Sequence, residues 1–130
     1  KNRQLMAVRK EKGKIAITNY KTLEIFQNLN LPKISLIECS LETGRTHQIR
    51  VHMNFKGNPI LGDKSYGKSK RKFKKIDINI EKKINNFNRQ ALHAKSLGFV
   101  HPKAGKEIFF EAERPKDFDT LIKNLKKASI

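Results

Sequence analysis

Thr43-Gly44-Arg45-Thr46-His47-Gln48-Ile49-Arg50-Val51-His52-Met53 is the stretch on which the fold turns. Just before it, Ile34 to Leu41 alternates, with Ile37, Cys39 and Leu41 opposite Leu36, Glu38 and Ser40, which is the period of a strand. Inside it the period changes. Ile49 and Met53 lie four apart, as do Val51 and Phe55, so a short helix is expected from near His47. Thr46 is placed to cap that helix and Gly57 to stop it.

Working outward, residues 13 to 29 also alternate. Ile15 and Ile17 share one side, and Leu23 and Ile25 share a side opposite Glu24 and Phe26, so strands and a possible hairpin are expected there. A turn is expected around Asn30, Leu31 and Pro32. Beyond the helix, Asn58-Pro59 is a breaker, and Ile60 to Gly67 reads as a tight, glycine-bounded loop. Residues 68 to 88 carry Lys68, Lys70, Arg71, Lys72, Lys74 and Lys75 close together and read as a basic, flexible loop or a short helix. Ala91 to Val100 and Ile108 to Glu113 suit two strands around the turn His101 to Gly105. Pro115 opens a terminal helix in which Phe118, Leu121, Ile122 and Leu125 form one apolar stripe. The pattern as a whole is α+β, a mixed, largely antiparallel sheet with flanking helices.

A chain of 130 residues, 37% hydrophobic, supports one core. Its 29 Lys and Arg against 12 Asp and Glu leave a net charge of +17, which excludes a neutral housekeeping domain. A surface of that sign attracts a polyanion, because each cation set against a phosphate releases condensed counterions. The bland alternative is that Lys, Ile and Asn are abundant because A/T-rich codons encode them, but that would not also keep acidic residues few. No run approaches the roughly 18 apolar residues of a membrane span, and Lys1 to Met6 hold no apolar run long enough to be expected as a secretion signal. The lone Cys39 offers neither an internal disulfide nor a zinc set, so no structural metal is expected and the expected compartment is reducing and cytoplasmic. A first residue of Lys1 in place of Met hints at a fragment.

Gly44 to His52 concentrates two arginines, two histidines and an amide where a strand meets a helix. Free main-chain N–H groups there, with Arg50 one turn past Thr46 and His47, can hold one phosphate or carboxylate from several sides. A polar helix start with solvated charges would look the same.

This run, followed by Gly57, Pro59-Ile60, Gly62-Asp63 and Tyr66-Gly67, resembles the G-R-T-H-Q-I-R-V-H signature and G-D-x-x-Y-G loop of the RluA-type family of RNA pseudouridine synthases. A second block agrees in order and spacing: Arg89-Gln90-Ala91-Leu92-His93-Ala94, then Leu97, Phe99, His101-Pro102 and Gly105, ending on Phe110, Ala112, Pro115 and Asp117. The resemblance spans roughly residues 13 to 120. It implies an enzyme that isomerises uridine to pseudouridine in structured ribosomal or transfer RNA, without metal or organic cofactor, as a monomer. The nucleophile it implies is an aspartate in H-R-L-D-x-x-T-S-G, acting on a flipped-out base. Asp63, Asp77, Asp117 and Asp119 lie in no such motif, and neither Tyr20 nor Tyr66 matches the family's active-site tyrosine. Residues 1–130 therefore read as the C-terminal portion of a catalytic domain, inactive in isolation.

The resemblance also assigns residues. Arg50 matches the arginine that lies against the catalytic aspartate, where a guanidinium keeps a carboxylate ionised. Arg45, Thr46, His47 and Gln48 match residues lining the RNA side of the cleft. Leu92 matches the apolar residue packed near the target base, or is an ordinary core residue, while Arg89 and His93 are structural or bind RNA. Asp63 is expected to tie down its own loop. The competing class is a stand-alone basic RNA-binding module without catalysis, and a ribosomal or assembly factor sharing only charge is a weaker third.

Overall fold

In the computed structural model, which describes residues 4–11 (main chain only), 14–67, 76–100 and 102–129, the chain runs through β1 (Gln4–Glu11), β2 (Lys14–Asn28), β3 (Leu31–Leu41), α1 (Gln48–Phe55), α2 (Ile78–Asn85), β4 (Ser96–Val100), β5 (Glu107–Glu111) and α3 (Lys116–Ala128). Strands β1, β2 and β3 form one antiparallel sheet in that order, and β4 and β5 a second. The largely antiparallel α+β expectation holds. The lysines and arginine within 68–75, and His101, lie outside the described residues.

Residues 14 to 28 form one continuous strand rather than a hairpin of their own. Its partners are β1 on one side and β3 on the other, so β2 is the central strand and the hairpins lie at its two ends. Its even-numbered side chains face the interior: Thr18, Tyr20 and Phe26 are buried, whereas Ile15, Leu23 and Ile25 are about half exposed on the opposite face. An extra residue in β2, Leu23, breaks the register between Thr22 and Glu24. That bulge lets Cys39 and Ile37 on one side of it, and Leu36 and Ile34 on the other, all share the core face of β3 despite their change of parity. The expected turn is shifted. Leu29 and Asn30 make it, while Leu31 is already in β3 and buried, and Pro32 is tolerated because β3 is an edge strand.

The core has two parts. Phe26 and Leu31 pack with Ile84, Phe87, Leu121, Ile122 and Leu125, so α2 and α3 cover one end of the sheet. Each such side chain contributes about 1.5–3 kcal/mol of apolar burial. The smaller part joins Tyr20 to Met53 of α1, with Ile37, Cys39, Ile49 and Ile60 around them. Burial, with Glu38 adjacent, pushes the Cys39 thiol up to about 11.

Helix α2 arises inside the lysine-rich segment because Asp77 caps it. Its Oδ1 accepts from the N–H groups of Asn79 at 2.8 Å and Ile80 at 3.4 Å, and its own N–H donates to Asn30 O at 2.8 Å, fastening the helix to the β2–β3 turn. The expected strand from Ala91 is shorter, starting at Ser96, because Ala91 N–H is spent on Leu61 O at 2.8 Å instead of a ladder. No helix among the described residues is long and apolar enough to cross a membrane.

Candidate functional site

The turn between β3 and α1 is built on a buried polar network. Thr43 Oγ1 accepts from Ile17 N–H at 2.9 Å and donates to Gln48 Oε1 at 2.7 Å, and the same amide oxygen accepts from Arg45 N–H at 3.0 Å. Gln48 Nε2 donates to Ile17 O and to Thr18 Oγ1, both at 2.9 Å, and Thr18 Oγ1 is hydrogen-bonded to His52 Nδ1 at 2.7 Å. Thr18, Gln48 and His52 are all buried. Every hydrogen-bonding site on the Gln48 amide is therefore directed inward, and this residue shapes the turn from below.

Thr46 does not cap α1. The N-cap position falls to His47, which has no side-chain cap bond and sits in the left-handed region at φ 51° and ψ 29°. Gln48 is the physical cause, because it reaches back to Arg45 N–H and takes over the task of fixing the helix entry. Gly57 follows the helix with φ 85°, as a stop residue should. A left-handed histidine is sparsely populated backbone, held here by the network beneath it. Its ring is exposed, with Nδ1 3.0 Å from Tyr66 Oη and an edge-on contact to the Tyr66 ring.

One turn on, Arg50 meets Asp63 in a two-pronged ion pair, Nε to Oδ2 at 2.8 Å and Nη2 to Oδ1 at 2.9 Å. The Asp63 side chain is 0% exposed and that of Arg50 12%. Asp63 Oδ1 also accepts from the N–H groups of Ser65 at 3.1 Å and Tyr66 at 3.0 Å, closing the Gly62 to Gly67 loop. The Arg50 guanidinium and these two N–H groups hold the Asp63 carboxyl below the usual carboxylate range against the opposing effect of burial, and Arg50 is correspondingly raised. Tyr66 completes the cluster, its ring centre 5.0 Å from Arg50 Cζ.

The second motif block backs onto this loop without adding free cations to it. Gly62 has φ 78°, and a Cβ there would lie 2.1 Å from Arg89 O. The Arg89 guanidinium is committed to Asp117, with Nε to Oδ2 at 3.0 Å and Nη2 to Oδ1 at 2.8 Å, and lies over the Phe87 ring. His93 Nε2 is hydrogen-bonded to Ala112 O at 3.0 Å, and its ring leans on Phe118. Leu92 is half-buried, outside any strand and outside both core clusters. Arg45 and Thr46 are exposed, and Arg45 makes no side-chain hydrogen bond or ion pair among the described residues.

Of the residues singled out in the sequence, Arg50 and His47 thus come together around Tyr66, with Arg45 and Thr46 on the same turn. Gln48 lies underneath, and Arg89 and His93 are tied to α3 and its approach. Sequence reasoning placed Asp63 in its loop but missed its bond to Arg50, and it assigned no role to Tyr66, Thr18 or His52. The G-D-x-x-Y spacing was the available signal, since an Asp three residues before a Tyr can cap a turn and reach a neighbouring cation. No group of three or more His, Cys, Asp or Glu among the described residues could hold a metal ion.

Residues 1–55 match the family described as RNA pseudouridylate synthase. The chain is 46% identical over 125 residues to the ribosomal large subunit pseudouridine synthase D of Zymomonas mobilis, covering 95% of this chain and 36% of that protein. It is 46% identical over 127 residues to an uncharacterized RNA pseudouridine synthase of Bacillus subtilis, covering 98% and 36%, and 40% identical over 129 residues to the synthase D of Xanthomonas campestris, covering 99% and 37%. The chain therefore spans about a third of the length of the curated relatives it matches.

Proposed function

We propose that this chain, which belongs to the RluA-type family of RNA pseudouridine synthases, forms the arginine-bearing wall of a catalytic cleft for uridine isomerisation in ribosomal RNA. In that reaction the N1–C1′ bond breaks, the base rotates, a C5–C1′ bond forms, and the C5 proton is lost while N1 gains one. The nucleophile is an aspartate carboxylate borne by an H-R-L-D segment, which these 130 residues do not contain. Asp63 is no substitute, because its side chain has no exposed surface and its oxygens already accept four hydrogen bonds.

The observation that supports this reading best is the placement of Arg50. Its guanidinium is nearly buried, is fixed in orientation and is flanked by the exposed His47 ring and the half-buried Tyr66 ring, as a group that meets one carboxylate in a cleft needs to be. Arg45 on the same turn, with no side-chain partner among the described residues, supplies a cation for an RNA phosphate, and the His47 and Tyr66 rings border the space a flipped base would enter. Ribosomal RNA, rather than transfer RNA, is favoured by the names of the relatives, and the enzyme is expected to act as a monomer in the cytoplasm without a cofactor.

The test is release of tritium from ribosomal RNA labelled at uridine C5. The 130-residue chain alone should bind this RNA and release none, whereas the enzyme carrying both this chain and an H-R-L-D segment should turn over. Its Arg50→Ala variant should lose on the order of 100-fold or more in kcat with its fold intact. Turnover by the chain alone, or near-normal activity of the variant, would overturn the proposal.

A further inference from the structure

We propose that Asp63 is a positioning residue for the isomerisation, acting through Arg50 by leaving a single edge of the guanidinium open to the catalytic carboxylate. The inference rests on the functional reading above and adds a residue to it. A guanidinium carries five N–H donors in a planar fork, and an Arg on a free stem can turn either of its two paired-donor edges, Nε with Nη2 or Nη1 with Nη2, toward a carboxylate. Asp63 removes that freedom. It takes the Nε–H and one Nη2–H in a side-on pair at 2.8 and 2.9 Å, so the edge formed by Nη1 and the second Nη2–H is left for a second, end-on partner.

Asp63 is itself immobilised. The N–H groups of Ser65 and Tyr66 bind its Oδ1, its own N–H donates to Ile60 O at 3.1 Å, and its side chain is wholly buried. The same loop brings the Tyr66 ring within 5.0 Å of Arg50 Cζ, and Tyr66 is anchored in turn by His47 at 3.0 Å. Carboxylate in the plane and ring over the face together define where the guanidinium sits and which way it points. An ordinary loop anchor needs only the two main-chain bonds to Asp63 Oδ1. The second oxygen, Oδ2, makes its described hydrogen bond to Arg50 alone.

The discriminating variant is Asp63→Asn in the enzyme that carries the nucleophile segment. The amide oxygen can still accept from Ser65 and Tyr66, but the side chain loses its charge and one of its acceptors for Arg50. The expected result is a kcat lowered on the order of 100-fold, the effect of misplacing a catalytic group by about 1 Å, with KM for RNA changed less than about twofold. In an Arg50→Ala background the same change should cost nothing further, because there is no longer a guanidinium to aim. A purely structural Asp63 would instead give equal losses in both backgrounds. Such equal losses, or an Asp63→Asn enzyme with near-normal kcat, would overturn the proposal. If Asp63→Asn fails to fold, Asp63→Glu, which keeps the charge but displaces it by one methylene, is read in the same two backgrounds with the same criteria. Should the unaltered enzyme release no tritium from RNA, the functional reading fails first. Activity in the unaltered enzyme together with indifference to Asp63 defeats this inference alone.

Discussion

Asp63 shows how much a single buried carboxylate can decide. Taken out of water without partners it would resist ionisation, yet its environment favours the charged form because Arg50 and two main-chain N–H groups more than offset burial. A carboxyl whose folded-state pKa lies below its unfolded value, about 3.9, contributes stability above that value and loses it as pH falls through the folded one. The chain should therefore lose stability on acidification below about pH 4, where Asp63 and then Arg50 lose their partners. Asp117, lowered mainly by Arg89, and Glu38, lowered mainly by Lys95 and Lys21, act in the same direction, but these pairs are solvent-exposed and contribute less. Urea denaturation midpoints measured from pH 6 to pH 2.5 should fall less steeply for Asp63→Asn than for the parent. Equal slopes would show that the buried pair does not govern the acid limb. Little of this was legible in the sequence, because Asp63 and Arg50 are thirteen positions apart and on different elements, and no period links them.

At the scale of elements, legibility followed the length and regularity of the apolar pattern. The stripe Phe118, Leu121, Ile122 and Leu125 announces α3, and the structure buries its last three members against Phe26 and Leu31. Leu125, at 3% exposure, is the most deeply buried of them, so Leu125→Ala should destabilise the chain by about 2–5 kcal/mol through lost transfer energy and a cavity. A shift of less than about 1 kcal/mol in chemical denaturation would mean that α3 does not close the core as described. The strand pattern was harder to read for two reasons. Apolar residues occupy both faces of β2, so alternation does not tell inside from outside, and the Leu23 bulge changes the parity of its partner strand midway. The lysines left a loop and a short helix both open for the segment that holds α2, although Asp77 before Ile78 was a readable cap that favours the helix. The start of α1 misled in the opposite sense: Thr46 has the right chemistry to cap, but the Gln48 amide, which bridges Thr43, Ile17 and Thr18, occupies the local hydrogen-bonding geometry.

For the whole molecule the question is which of its cations are available to a polyanion. Several are already engaged: Lys21 and Lys95 with Glu38, Arg50 with Asp63, Arg89 with Asp117, Arg114 and Lys123 with Asp119, and Lys126 with Glu24. With 12 acidic residues against 29 basic ones, the sequence holds too few carboxylates to pair its cations one to one. Arg45 differs from a generic surface lysine because its main-chain N–H is pinned by Gln48, so its stem leaves the turn from a fixed point beside His47. Binding of a single-stranded ribosomal RNA fragment should then weaken with salt as a straight line of log affinity against log salt, with a slope of about −0.7 for each phosphate neutralised. A slope steeper than about −2 is expected, corresponding to three or more phosphates. Arg45→Ala should make it shallower by about 0.7–1 unit. Arg89→Ala, which removes a cation already paired with Asp117, should change it less. Fluorescence anisotropy titrations across a salt series measure all three slopes. If the affinity is flat in salt, the charge does not contact RNA. If Arg89 carries the larger share of the slope, the RNA runs along the approach to α3 and not across the Gly44 to His47 turn.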